Sequence, residues 1–334
     1  MTHKPLASIS LDLDNKWSYL KTHGEEEWES MPSYFHYVVP RFLSFLKDRN
    51  TKITVFVVGQ DAVLEENREA LASIAEDGHE IGNHSFNHEP WLHLYTPSEL
   101  NQEFEKSENA IRDVTGQQTI GFRGPGFSLS DEVLRTLVRR GYEYDCSTFP
   151  TYLGPVARAY YFLKSSLTSE EKEDRKVLFG SFKDGLQSNK PFRWNAGNSQ
   201  LLEIPVTTMP ILKLPIHGSY IMYLATYSAF LAKAYFWSAL QFCRMTGVEP
   251  SFLLHSLDFM GEEDDEDMSF FPGMNQPAVK KIELLGSCFK MLEKHFELVT
   301  MQEHANSLKA MPMKSKGIDS APQGAPELAK SSAS

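Results

Sequence analysis

Residues 6–14 read LASISLDLD, a stretch in which apolar and polar side chains alternate. This period of two is typical of a β-strand with one face in the core. The side chains of Asp12 and Asp14 would then point to the same side, about 6 to 7 Å apart along the strand. Active sites of parallel sheets gather at the carboxyl ends of the strands. The two acids therefore indicate a candidate site, and a pair of solvated acids is the simpler alternative.

The chain up to about residue 150 alternates between short apolar runs and longer segments with apolar residues at helical spacing. KITVFVVG (52–59) is apolar on both faces, as a buried parallel strand is. TPSELNQEF (96–104) begins with a capping box formed by Thr96 and Glu99. These strand–helix repeats predict an α/β fold with a parallel sheet and outer helices, either open or closed into a barrel.

The alternating pattern stops between residues 151 and 250 and returns with PSFLLHSLDF (250–259). We therefore expect one domain over residues 1–308, in which residues 151–250 form an insertion between late strands that covers the substrate. Residues 309–334 are rich in Ser, Ala, Lys and Pro. That composition predicts a disordered C-terminal tail.

The whole chain has 334 residues, of which 41% are hydrophobic, and a formal net charge of −11. This acidic balance argues against a nucleic-acid partner, because a general phosphate binder needs clustered Lys and Arg. The three cysteines are widely spaced and fit a reducing compartment. The first residues lack the apolar core of a secretion signal. These features predict a soluble cytoplasmic protein and leave its oligomeric state open.

The most apolar long segment is residues 220–243, YIMYLATYSAFLAKAYFWSALQFC, which Lys233 interrupts. Its length approaches that of a membrane span, but it contains several tyrosines and serines besides the lysine. The pattern favours a buried or interfacial helix. Contact with the inner face of a membrane through this segment stays open as an alternative.

A second motif, HSFNHEP (84–90), follows another short apolar run and would lie on the same rim as the two acids. The spacing of His84 and His88, if they share one helical turn, brings both imidazoles to one side. Two neutral histidines and one carboxylate form a ligand set that suits Zn²⁺ or a similar divalent ion. Two polar residues in an ordinary loop remain the alternative.

Three further polar residues follow or end an apolar run: Arg123 in GFRGPGF, Asp145 in YEYDCSTFP and His255 in FLLHSLDF. Taken singly, Arg123 would be a surface ion-pair partner and His255 a hydrogen-bonded core residue. Cys146 lies next to Asp145 and could be read as a nucleophile, but no Cys–His arrangement supports that reading.

Together these motifs resemble the NodB-homology polysaccharide deacetylases, carbohydrate esterase family 4. The family's five motifs correspond here to SLDLDN, HSFNHEP, RGPGF, YDCSTFP and LLH, which spread over residues 8 to about 300. The resemblance implies a deformed (β/α) barrel with fewer than eight strands. Three departures stand out: Leu13 separates the two acids in a D-x-D pattern, Glu89 precedes Pro90, and Gly126 replaces an aromatic residue.

The resemblance also implies a role for each motif residue. Asp14, His84 and His88 would hold a divalent metal, Zn²⁺ first and Co²⁺ or Ni²⁺ as alternatives. Asp12 would be the general base, held in place by Arg123. His255 would protonate the departing amine, and Asp145 would favour its imidazolium form. The D-x-D pattern leaves an exchange of roles between the two acids open. A backbone N–H near Cys146 or Ser147 would assist the oxyanion.

The implied activity is metal-dependent removal of an N-acyl group, acetyl first, from an amino sugar or related glycan. Three alternatives remain at this stage. One is a deformylase or deacetylase of a lipid-linked sugar at the inner membrane face. Another is a metal-free amidohydrolase similar to one type of allantoinase. The third is a non-catalytic sugar-binding module on the same scaffold.

Overall fold

A computed structural model describes residues 4–153 and 184–318 of the chain. Ten strands belong to one sheet. They are β1 (Leu6–Leu13), β2 (Thr54–Val57), β3 (Glu80–Asn83), β4 (Gly121–Phe122), β5 (Tyr144–Asp145), β6 (Phe192–Ala196), β7 (Ser199–Glu203), β8 (Ser251–His255), β9 (Glu297–Val299) and β10 (Ser315–Gly317).

The α-helices of the described residues connect or flank these strands. They are α1 (Lys16–His23), α2 (Phe35–Lys47), α3 (Gly59–Ala62), α4 (Arg68–Glu76), α5 (Pro97–Thr115), α6 (Asp131–Arg140), α7 (Gly218–Tyr227), α8 (Ala229–Thr246), α9 (Ala278–His295) and α10 (Met301–Leu308). Thr96 and Glu99 form the expected capping box at the start of α5.

The strands are hydrogen-bonded in the order β10-β6-β7-β5-β4-β3-β2-β1-β8, and β9 pairs with β1. All pairs are parallel except the β6–β7 hairpin. Past β7 the Thr207 N–H donates to the Ser251 carbonyl over 3.0 Å, which links the β7 side of the sheet back to β8. The sheet thus curls into a small deformed barrel with helices outside, and the α/β fold expected from the sequence is confirmed.

The apolar pattern of the strands explains this arrangement. Every residue of β2 and β3 is buried, as in strands covered on both faces. Ile9, Leu11 and Leu13 of β1 belong to the main hydrophobic cluster and are fully buried. The polar residues that alternate with them therefore face the other side of β1, where the candidate site lies.

The region expected to be an insertion differs from that expectation. Residues 192–203 form the β6–β7 hairpin, and β7 pairs in parallel with β5, so this part extends the sheet. Phe192 and Trp194 of β6 are buried in a second hydrophobic cluster and are core residues. The charged stretch TSEEKEDRKVLFGSF (168–182) lies outside the described residues.

The apolar segment 220–243 forms two helices. Ser228, with a φ of −166° and ψ of 116°, ends α7, and its side chain accepts the Leu231 N–H at the start of α8. In the part of the chain that the structure describes, no helix has both the length and the apolar character needed to cross a membrane.

Part of the segment expected to be a disordered tail is ordered. Ser315–Gly317 form β10, which pairs in parallel with residues 193–195 of β6. The Lys316 ammonium lies 3.9 Å from the centre of the Phe192 ring and the buried Ile318 packs in the second cluster, so contacts with the sheet outweigh the polar composition. Residues 319–334 lie outside the described part.

Candidate active site

The carboxyl ends of β1 and β8 bring Asp12 and Asp14 close to His255. In the register of β1 and β8, Asp12 lies beside His255. Asp14 follows Leu13, the last residue of β1. Asp12 and Asp14 are 4% and 6% exposed, so neither is a solvated acid at a strand end. The carboxyl ends of two neighbouring strands therefore form one edge of a buried polar site.

Asp14, His84 and His88 meet at this edge. Asp14 Oδ1 lies 3.4 Å from His84 Nε2 and 3.0 Å from His88 Nε2. One possible ligand atom from each residue lies within 4.8 Å of the other two. Within residues 4–153 and 184–318, no other three His, Cys, Asp or Glu side chains converge in this way.

The chemistry of these three side chains fits a divalent metal. His84 Nδ1 lies 2.6 Å from the Arg123 carbonyl, so this nitrogen donates and leaves a lone pair on Nε2. Asp14 Oδ1 is buried and has no hydrogen bond. Burial acts to raise the pKa of Asp14, but the His88 and His84 rings outweigh it and hold this pKa well below its usual range. Two imidazole nitrogens and an ionised carboxylate are ligands that Zn²⁺ accepts.

The loop that carries both histidines is not the helical turn that their spacing suggested. Ser85 and His88 have positive φ values of 65° and 53°, which residues with a Cβ seldom adopt. The buried Glu103 of α5 holds the loop, because its Oε1 accepts the N–H groups of Phe86 and Asn87 over 2.9 and 2.6 Å. The imidazoles converge through this loop geometry, and Glu103 is a supporting residue that sequence reasoning missed.

Arg123 forms the floor beside Asp12. It is fully buried, and its Nη1 donates to Asp12 Oδ1 over 2.7 Å and to Ser10 Oγ over 2.9 Å. Its guanidinium carbon also lies 4.6 Å from the centre of the Phe56 ring. Burial acts to lower the pKa of Arg123, but the Asp12 carboxylate raises it above its ordinary value. The charged guanidinium is therefore a buried partner of Asp12 and not a surface ion pair.

His255 is linked to a carboxylate through a serine. Ser219 Oγ donates to Asp258 Oδ1 over 2.8 Å, and it lies 3.0 Å from His255 Nδ1. Ser219 Oγ therefore bridges the His255 ring and the Asp258 carboxylate. Burial raises the pKa of Asp258, although the charges of His255 and Lys281 act against this. Ser219 and Asp258 were not singled out in the sequence, although Asp258 is only three residues after His255.

His217 lies next to His255 at the start of α7. The two rings are 5.8 Å apart and nearly perpendicular. Burial, helped by the charge of His255, lowers the pKa of His217 to about 3. The His217 ring is therefore neutral at ordinary pH. It lies three residues before the apolar segment 220–243 and belongs to no motif that would have marked it.

Asp145 does not contact His255, contrary to the role that the resemblance implied. Its carboxylate accepts the Ser147 hydroxyl over 2.7 Å and the Ser147 N–H over 3.1 Å. Burial raises the pKa of Asp145 and, together with the adjacent Asp145 charge, raises the pKa of Glu203 well above its usual range. Glu203 also accepts from Thr148 N–H and from Trp194 Nε1, over 3.0 and 2.9 Å. Asp145 thus belongs to a buried pair of carboxyl groups.

The backbone donors expected to assist an oxyanion are already engaged. The Cys146 N–H donates to the Phe122 carbonyl over 2.9 Å, and the Ser147 N–H donates to Asp145. The Cys146 thiol is fully buried, and burial raises its pKa well above its usual range. These contacts exclude Cys146 as a nucleophile in this structure.

A buried network supports the Asp14 end of β1. Asp61 Oδ1 accepts the side-chain N–H groups of Asn15 and Trp17 over 2.7 and 2.9 Å. Trp17 in turn meets the His88 ring edge-on, with the ring centres 6.3 Å apart. Burial raises the pKa of Asp61 to about 7. The residue was not singled out, because it stands in no recognisable motif.

Residues 28–144 match the family model described as polysaccharide deacetylase. The chain is 26% identical over 151 residues to a peptidoglycan deacetylase of Helicobacter pylori, which is 44% of this chain and 50% of that protein. It is 30% identical over 105 residues to a peptidoglycan-N-acetylmuramic acid deacetylase of Bacillus subtilis, which is 31% of this chain and 39% of that protein. The aligned parts thus cover half or less of these relatives.

The fold is also found among solved structures. A proposed polysaccharide deacetylase from Mycobacterium smegmatis superposes with a TM-score of 0.62 at 19% identity, covering 98% of this chain and 96% of that chain. The stretch matched by the family model includes His84, His88 and Arg123. The match to the family model and the similarity to these relatives confirm the resemblance drawn from the five motifs.

Proposed function

We propose that this protein is a metal-dependent hydrolase that removes an N-acyl group, acetyl first, from an amino sugar of a glycan. The observation that carries the proposal is the convergence of Asp14, His84 and His88 next to the Asp12–Arg123 pair and His255. The match to the polysaccharide deacetylase family model and the relatives named peptidoglycan deacetylases support the reaction class.

In this proposal Asp14, His84 and His88 hold the metal, with Zn²⁺ as the first choice and Co²⁺ or Ni²⁺ as alternatives. A divalent ion bound there would polarise an amide carbonyl and acidify a water molecule. The hydrogen bond from His84 Nδ1 to the Arg123 carbonyl fixes the ring with Nε2 toward Asp14. Arg123 therefore contacts two of the proposed functional residues. Its carbonyl accepts from His84, and its guanidinium donates to Asp12.

Asp12 is the proposed general base. Its Oδ1 accepts a hydrogen bond from Arg123 Nη1 over 2.7 Å, and in this role the carboxylate would accept a proton from water. The pairing also fixes the direction of the carboxylate, because Arg123 itself is held by the Cys146 carbonyl over 3.1 Å. Proton acceptance at Asp12 would then occur next to the place where Asp14 binds the metal.

His255 is the proposed general acid. Ser219 Oγ lies 3.0 Å from His255 Nδ1 and donates to Asp258, so a carboxylate lies one hydroxyl group away from the ring. A proton on Nε2 would then be available for the departing amine. Asp258 thus takes the place that the sequence analysis gave to Asp145. The neutral His217 ring beside it adds no positive charge that would oppose this protonated form.

The test is release of acetate from N-acetylated sugars and muropeptides before and after removal of divalent metal. We expect activity to disappear with a chelator and to return with added Zn²⁺ or Co²⁺. Full activity after chelation, with the metal content verified as nil, would favour the metal-free amidohydrolase. Bound metal without turnover on any substrate would instead favour a sugar-binding module.

A lipid-linked sugar is a second candidate substrate, favoured by one observation. Helix α7 begins at the candidate site with Ser219 and ends at Tyr227, which is 73% exposed. A cytoplasmic enzyme at the inner membrane face could act there on the head group of such a lipid. Comparing turnover on a lipid-linked N-acetyl or N-formyl sugar with turnover on chitin oligomers tests it. Rates that climb with oligomer length would contradict it.

A further inference from the structure

The outer surface of α7 and α8 exposes large apolar side chains to solvent. We call this surface the apolar face. It contains Tyr227, Phe230, Leu231, Trp237 and Met245, which are 73%, 77%, 62%, 52% and 81% exposed. A soluble monomer seldom groups such residues without a functional reason.

The spacing on α8 makes this surface continuous. Phe230, Ala234, Trp237, Gln241 and Met245 recur at intervals of three or four residues, which places them in one row on a helix. The row is about 22 Å long, since each helical residue adds about 1.5 Å. The opposite side of α8, with Phe236, Ala239 and Cys243, is fully buried in the main core.

The charge of the same region is unlike that of the rest of the chain. The sequence has 44 acidic residues, 33 Lys and Arg, and a net charge of −11. Yet residues 204–248 contain Lys213, Lys233 and Arg244 and not a single Asp or Glu. Within the described residues, no ion pair with a carboxylate involves Lys233 or Arg244.

We propose that the apolar face docks this protein onto the surface of a membrane that contains anionic lipids. Trp and Tyr are the side chains enriched at membrane–water interfaces, and Lys233 and Arg244 at the edge of the row would contact anionic head groups. The segment lies on the membrane without crossing it, because each helix keeps one side in the protein core.

A second copy of the chain fits the apolar face less well. A two-fold symmetric contact would bring Lys233 and Arg244 of both copies together, with no acid in residues 204–248 to neutralise them. An anionic bilayer supplies the missing negative charge, which is why we choose it as the occupant.

The docking would set the position of the site relative to the lipid. Helix α7 leads from Ser219, which is bonded to His255, to Tyr227 at the edge of the apolar face. The eight helical steps between these two residues span about 12 Å. A membrane-bound protein would thus hold His255 within reach of a sugar attached to a lipid.

The experiment is co-sedimentation of the full chain with vesicles of phosphatidylcholine alone and of phosphatidylcholine with phosphatidylglycerol. We expect the native chain to bind the anionic vesicles. The double variant Phe230→Ser/Trp237→Ser should bind them about tenfold more weakly or worse. The matched control is Val279→Ser/Met311→Ser, since these side chains are 60% and 54% exposed elsewhere. Lys233→Gln and Arg244→Gln should each weaken binding about fivefold, and Lys47→Gln/Lys280→Gln should not.

Equal binding by the apolar-face and control variants would overturn the proposal. So would a dimer in sedimentation velocity that Phe230→Ser/Trp237→Ser dissociates while neither protein binds vesicles, because a second copy would then be the occupant. The measurement contains no substrate, so its failure would leave the proposed hydrolysis standing.

Discussion

The two sides of the candidate site are assembled differently. On the metal side, Asp12 is the last but one residue of β1, and Asp14 and Arg123 directly follow strands. His84 and His88 lie in the loop after β3. On the histidine side, His255 ends β8 but depends on Ser219 of α7 and on Asp258 of the following turn. The ends of strands position the residues of the metal side. The histidine side also needs contacts with a helix and a turn from other parts of the fold.

This difference predicts unequal sensitivity to mutation. The metal-side groups are buried and contact each other directly. The histidine side acts through an intermediate hydroxyl, and His255 itself is only half-buried. Replacement of a metal-side group should therefore abolish metal binding or turnover, whereas replacement of Ser219 should only lower turnover partly.

The largest effect is expected for the two loop histidines. His84→Ala or His88→Ala should lower metal affinity by more than about 100-fold, because even the outer partners of metal ligands contribute 10- to 100-fold. The measurements are the metal content after dialysis and the rate of acetate release. His93→Ala is the control, since this half-buried histidine follows the same loop and contacts Ser128. Full metal occupancy in the double variant His84→Ala/His88→Ala would refute the assignment.

The two aspartates of the metal side should separate in the next experiment. Asp12→Asn should retain metal and lose turnover by about 10² to 10⁴, the usual contribution of acid–base catalysis. Asp14→Asn should lose the metal itself, because its Oδ1 is the atom that faces both imidazoles. Calorimetric titration with Zn²⁺ distinguishes them. If Asp12→Asn loses metal and Asp14→Asn retains it, the two acids have exchanged roles.

The sequence predicted the metal side more completely than the histidine side, for a physical reason. The residues of the metal side occupy motif positions at strand ends, and parallel strands carry such positions to one edge. Even there, the loop conformation of His88, with its φ of 53°, and the support from Glu103 could not be read from the spacing.

The histidine side depends on contacts that a sequence motif does not predict. Asp145 holds a motif position, yet it pairs with Glu203, because β7 joins the sheet next to β5 and brings a second acid beside it. Ser219 reaches His255 only because α7 packs against β8, a contact between positions 36 residues apart in sequence. The β6–β7 hairpin was not expected from the sequence, so its partners were not expected either.

A smaller effect is expected on the histidine side. His255→Ala should lower turnover by about 100-fold with the metal content unchanged, and should flatten the alkaline limb of the pH–rate profile. Ser219→Ala should lower turnover by about tenfold, because His255 loses its link to Asp258. Ser238→Ala on the outer surface of α8 is the control. An unchanged pH profile in His255→Ala would assign the general acid to another group.

The smallest effect concerns Glu203, whose buried carboxyl group lies beside Asp145. Burial and Asp145 raise the pKa of Glu203 well above its usual range, so the folded protein holds a proton that the unfolded chain releases. The unfolded chain therefore binds fewer protons above its carboxyl pKa, and folding stability falls as the pH rises from about 4.5 toward the folded pKa. Glu203→Gln removes this titration. Relative to the variant, the native chain should lose unfolding free energy between pH 5 and pH 8. Urea unfolding at both pH values measures this difference, and any constant cost of the weaker contact with Trp194 cancels from it.

Acetate release at pH 7 should stay within about threefold of native, since Glu203 contacts neither Asp12 nor His255. Stability curves that run parallel from pH 5 to pH 8 would show that Glu203 and Asp145 do not retain a shared proton, and the buried pair would then need a cation or a water to balance it.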